Sequence, residues 1–229
     1  MSRIPLCFSR RHPAFISLPL LLLWLVTAST ASAHPHGWVD YTVRVLFDSQ
    51  GRVSALQQRW KLDPMYSLTL MEEMKRDGGA GQQQQQQQLD ALGSQIVKNI
   101  GKQHYLSHVY RNGKELELGQ VTEYTALLSG QRVEFMFVLP LATPQKPEGD
   151  RLSWKIYDPT YFIEFLYDNE IDQPLTMSGA PEGCTTHIVH FKPDPKLVAK
   201  AAAIDVTGQA PDGMGKLFAD TGKLKCPAD

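Results

Sequence analysis

Two histidines separated by one proline stand in the run "ASAHPHGWVD", residues 31–40. Imidazole nitrogen and carboxylate oxygen are both suitable ligands for Zn, Ni, Co or Cu. In an extended chain, residues two apart share a face, so His34, His36, Trp38 and Asp40 fall on one side. Val39, Tyr41 and Val43 take the other. The small residues Ala31-Ser32-Ala33 form an A-x-A cleavage signal. Cleavage after Ala33 makes His34 the first residue and adds a free amine, which titrates at roughly 7.7–8.0 and so offers a lone pair near neutral pH. Amine and His34 imidazole can chelate one ion together. Pro35 has no N–H. The square-planar amino-terminal copper/nickel motif, which needs deprotonated amides at the second and third positions, therefore cannot assemble. His36 or a distant residue would complete the shell, and the candidate ligands are His34, His36 and Asp40. The competing reading is a solvated chain end, since termini fray unless tied down.

Four further residues are weaker candidates. His104 and His108 are four apart, on one face of either a helix or a strand, but lack a third ligand. Asp63 precedes Pro64 and is most simply a helix cap; its functional reading is an acid beside Trp60 and Tyr66. Asp158 precedes Pro159 and is most simply a turn residue; its functional reading is a carboxylate near Tyr157 and Tyr161. His187 and His190 are three apart in an expected strand and face opposite ways. The aromatics Tyr157, Tyr161, Phe162, Phe165 and Tyr167 read as core. The sequence has no G-x-S-x-G elbow, no H-E-x-x-H and no phosphate-binding glycine loop, so an ordinary hydrolase or nucleotide enzyme is unsupported.

The elements that must position these residues begin behind a leader. Arg3, Arg10 and Arg11 precede the apolar run "ISLPLLLLWLV", about 11 residues against the roughly 20 a bilayer span needs. Residues 1–33 read as a cleaved signal peptide and 34–229 as a single periplasmic domain with no membrane span. The whole chain has 23 basic and 24 acidic residues; the leader removes three arginines and no acids, leaving a charge of about −4. A mildly acidic domain has no basic stripe for nucleic acid. Cys7 leaves with the leader. Cys184 and Cys226 are expected to pair in an oxidising compartment, which contributes about 3–4 kcal/mol in the chain-entropy model. A thiolate ligand pair is the rival, without the C-x-x-C spacing that would favour it.

Residues 38–48 alternate with period two, a strand that "DSQG" turns into a return strand over 52–62. Residues 65–76 switch to helical spacing. Gln82–Gln88 read as a low-complexity polyglutamine loop, a flexible tip or else a helix extension, after which a helix resumes to residue 100. Asn112-Gly113 and Ser129-Gly130 mark hairpin turns. Strands are expected in "RLSWKIYDPTYFIEFLYD", broken at Asp158-Pro159, and in "CTTHIVHFKPD". A short helix follows over 194–203, and 204–229 read as a poorly structured tail tied by Cys226. The fold class is α+β, mostly antiparallel and sandwich-like, with a two-helix insertion.

The segments "HPHGWVD", "QRWKLDPMYS" and "YDPTYFIEF" resemble a domain-of-unknown-function family of bacterial periplasmic proteins, often labelled periplasmic components of an ABC-type transport system. The resemblance covers most of the mature chain. It implies a role in transition-metal handling beside nickel/cobalt-type permeases, and it marks His34, His36, Asp40, Asp63 and Asp158 as polar-site candidates. The chain is too short and too antiparallel for the two α/β lobes of a solute-binding protein. The expected function is a periplasmic accessory protein that binds a divalent transition metal (Zn, Ni, Co or Cu) and serves an inner-membrane metal permease. Two alternatives stand beside it: a copper-dependent oxidative enzyme with an N-terminal histidine site, and an interaction module without metal.

Overall fold

The alternating run becomes strand β1, Gly37–Phe47, and its return becomes β2, Val53–Leu62. They pair antiparallel from Val39↔Leu62 to Phe47↔Val53, with an irregularity between Leu46 and Phe47. Val39, Tyr41, Val43 and Val45 are buried, while Trp38 and Asp40 lie on the opposite face. Asp48 closes the turn by accepting from the backbone N–H groups of Gln50 and Arg52, each at 2.9 Å. This computed structural model describes residues 35–78, 81–192, 194–204 and 210–227. His34 and the proposed leader lie outside the described residues.

Two helices follow. Helix α1, Pro64–Gly78, starts with proline at its first position, where a missing N–H costs nothing. The Asp63 side chain caps it, Oδ1 accepting from Tyr66 N–H at 2.9 Å. Helix α2 spans Gln82–Gly101. The polyglutamine run is therefore not a loop but, as the helix-extension reading has it, the first two turns of this helix, glutamine being a good helix former. Leu89 from α2 joins the core, and Gly93 lets the helix approach Tyr124 and Ala126.

The remaining strands are β3 (Ser107–Arg111), β4 (Lys114–Glu115), β5 (Tyr124–Ser129), β6 (Arg132–Gln145), β7 (Gly149–Ile156), β8 (Ile163–Tyr167), β9 (Leu175–Ser178), β10 (Thr185–Val189) and β11 (Thr221–Cys226). One sheet runs β5-β6-β2-β1-β8, with β9 also pairing β1; the other runs β10-β11-β7-β3-β4. Asn112 and Gly113 both take positive φ, 53° and 75°, as the tight β3–β4 hairpin requires. One hydrophobic cluster takes Tyr41, Leu56 and Phe135 from the first sheet and Val109, Trp154 and Leu224 from the second. Trp154 Nε1 donates to Tyr167 Oη at 3.1 Å and Gln58 Nε2 to Ser107 Oγ at 2.9 Å, both between sheets. The expected α+β class, mostly antiparallel with a two-helix insertion, is the observed one.

Two features depart from expectation. Strands β8 and β9 pair with β1 in parallel, so the aromatic run 157–167 divides between sheets at Asp158-Pro159. The segment 204–229 is not merely a tail: β11 lies inside the second sheet between β10 and β7. Its sequence, TGKLKC, hides this because only Leu224 and Cys226 give an apolar face. Cys184 and Cys226 form a disulfide with S–S 2.04 Å, 42 residues apart. A short helix α3, Pro195–Ala202, is capped by Asp194, which accepts from Lys196 N–H.

Candidate functional site

The end of β2, the start of α1, the start of β1 and the loop entering β8 meet around a cleft of about 240 Å³. His36, Trp38, Asp63, Met65, Tyr66 and Phe162 line it. Local structure explains each position. The parallel β1–β8 pairing sets Gly37 opposite Ile163. His36 N–H donates to Phe162 O at 2.9 Å, and the His36 ring rests on the Phe162 ring with centroids 4.4 Å apart. The hairpin register continues one step further, Asp63 N–H donating to Trp38 O at 3.1 Å. This delivers Asp63 to the cleft at the point where the chain turns into α1.

Asp63 is the residue with the most informative environment. It is 6% exposed. Its Oδ1 is used by the helix cap, and no donor among the described residues reaches Oδ2. A Cβ on Gly37 would lie 2.8 Å from that Oδ2, so the missing side chain makes room for the carboxylate beside His36. The Asp63 side chain is buried as a whole, but its Oδ2 opens on the cleft, where water or a ligand can satisfy it. The rim is unusual in the other direction: Trp38, Met65, Tyr66 and Phe162 are 40%, 73%, 51% and 51% exposed.

Asp40 and Asp158 stand one step behind the walls. The Asp40 carboxylate accepts from Trp38 Nε1 at 3.3 Å and pairs with Arg132 at 2.8 Å. Arg132 also donates to the carbonyls of Lys61 and Leu62, which carry the chain into Asp63. Asp40 thus holds the indole and the end of β2 rather than lining the cleft. Asp158 Oδ1 accepts from the Thr160 amide and hydroxyl, and Oδ2 from the amides of Phe162 and Ile163. Its carboxylate shapes the loop that presents Phe162, as its turn reading anticipates. Glu164, opposite Trp38 in register, is pushed above the usual carboxylate range by burial; the Tyr161 hydroxyl, 3.1 Å away, opposes this and Asp220 reinforces it.

Among the described residues, the other histidines do not join the cleft. His104 opens a 3₁₀ turn with φ 51°, whereas His108 lies in β3, so the two do not share one element. His108 pairs with Glu115 at 2.6 Å and stacks on Tyr157. Of the six sequence candidates that are described, the cleft contains His36 and Asp63; His34 lies outside the described residues. Among the described residues, no three His, Cys, Asp or Glu side chains gather into a metal-ligating group. Sequence reasoning missed Gly37, Met65 and Phe162. Phe162 is the exception in an aromatic run whose other members, Tyr157, Tyr161, Phe165 and Tyr167, are buried as expected. A proline four residues before β8 was the available signal that this stretch bends outward.

A family profile described as "Protein of unknown function (DUF1007)" matches residues 19–226. An "Uncharacterized protein" from Haemophilus influenzae is 26% identical over 209 residues, covering 90% of this chain and 97% of the relative. No solved structure matches. No helix among the described residues is long and apolar enough to cross a membrane.

Proposed function

Since the chain belongs to the DUF1007 family, whose description assigns no function, we propose from the cleft that it binds a divalent transition metal there, and from its leader sequence and disulfide that it does so as an accessory protein of the periplasm. The observation that carries this is the Asp63 Oδ2, which opens on the cleft with no donor among the described residues and is fitted against the glycine next to His36. Carboxylate and imidazole together suit Zn, Ni, Co or Cu. His36 and Asp63 would hold the ion. His34 and its amine are two residues away along the chain and are the further ligands the proposal calls on. Export would depend on residues 1–33 and would place the Cys184–Cys226 disulfide in an oxidising compartment, where such bonds persist. An inner-membrane metal permease is the partner such a protein would serve.

The test is calorimetric titration of the exported, processed protein with Ni(II), Co(II), Zn(II) and Cu(II). Asp63→Asn keeps an acceptor for the Tyr66 amide and removes the charge; His36→Ala removes the imidazole. Each variant is expected to lose at least tenfold in affinity for the preferred ion while melting within a few degrees of wild type. Unchanged affinity in both variants contradicts the proposal.

A further inference from the structure

The cleft is far larger than an ion. Its roughly 240 Å³ compares with about 30 Å³ for one water molecule in the liquid. The described residues supply two ligand groups, His36 and Asp63, whereas protein sites for a bare transition ion usually supply three or more. The walls are the wrong material for a hydrated ion: Trp38, Tyr66 and Phe162 offer ring faces and Met65 a thioether. Ring faces do suit a flat organic body, and they attract positive charge. A single buried carboxylate at the wall complements a cationic occupant.

Resting on the metal reading above, we infer that the cleft takes its ion already chelated by a small organic molecule of amino-acid size. The chelator supplies the coordination positions that His36 and Asp63 leave open. Its body fills the space between Trp38, Tyr66 and Phe162. His36 and Asp63 then recognise the complex rather than enclose the ion. Trp38 is a fixed wall, since its indole N–H is held by Asp40 and Asp40 by Arg132. Phe162 is fixed through the amide hydrogen bonds of its loop to Asp158.

The experiment titrates the processed protein with each of Ni(II), Co(II), Zn(II) and Cu(II), bare and as the 1:1 complex with L-histidine, which carries one net positive charge, and with L-histidine alone. Binding is followed by calorimetry and by Trp38-dependent fluorescence, using Trp38→Phe as the control. At least one complex is expected to bind tenfold or more tightly than its bare ion. Tyr66→Ala, at an exposed position, should weaken the complex at least fivefold and leave any bare-ion affinity within twofold. If histidine instead strips the ion from the protein, the chelate inference is overturned and the metal reading stands. If histidine alone binds as tightly as its complexes, the metal is dispensable and both readings fall. Binding of none of these probes also overturns both.

Discussion

At the residue scale, the account rests on one atom, the Asp63 Oδ2, and on the hydrogen that Gly37 has in place of a side chain. Gly37→Ala would place a methyl 2.8 Å from Oδ2, closer than real Cβ contacts allow, so the carboxylate must swing. The capped Oδ1 resists that movement. The expected outcome is a folded protein whose ion affinity falls about as far as that of Asp63→Asn, read by the same titration. Glu164 gives a pH prediction of definite sign. Burial, the largest influence, raises its carboxyl, so the folded chain binds this proton more tightly than the unfolded chain. The group's contribution to stability is then complete below its unfolded value of 4.5 and is lost as pH rises through the folded value. Glu164→Gln should melt above wild type at pH 7, and the gap should close near pH 4, as thermal unfolding at the two pH values will show.

At the element scale, the cleft exists because four chain segments end or begin at one place. Much of this is legible in sequence. The alternation 38–48 gives β1, Asp63-Pro64 gives the start of α1, and Asn112-Gly113 gives a turn whose two residues both take positive φ. The fourth segment is not legible. Nothing local to Ile163–Tyr167 reveals that it pairs in parallel with a strand more than a hundred residues earlier, because parallel partners are chosen by tertiary packing and not by a turn. The glutamine run and β11 were obscured for opposite reasons. A homopolymer carries no periodicity to read, although its intrinsic preference is helical. In β11, glycine and two lysines dilute a strand whose position depends on Trp154. A Cβ on Gly222 would lie 2.3 Å from Trp154 Cε2 and 2.5 Å from Tyr167 Oη. Gly222→Ala should therefore cost about 1–3 kcal/mol by overpacking, measured by denaturant unfolding, while a chain that melts as wild type would show that β11 does not sit against the indole.

At the scale of the whole molecule, a two-sheet sandwich with one shared core holds a polar atom and four exposed apolar side chains at a single mouth. Of the candidate residues, His36 and Asp63 meet there and Asp40 and Asp158 brace the walls. Spacing along β1 grouped His36 with Asp40 because it sees only one strand, whereas the cleft is assembled across β1, β2, α1 and the approach to β8. The central claim is that this mouth holds a transition metal in the protein as the cell makes it. The most direct measurement is elemental analysis of the natively isolated, processed protein, beside the His36→Ala/Asp63→Asn double variant prepared in parallel. The account predicts close to one equivalent of a transition metal in the wild type and little in the variant. Equal metal content in the two, or none in either, would contradict it.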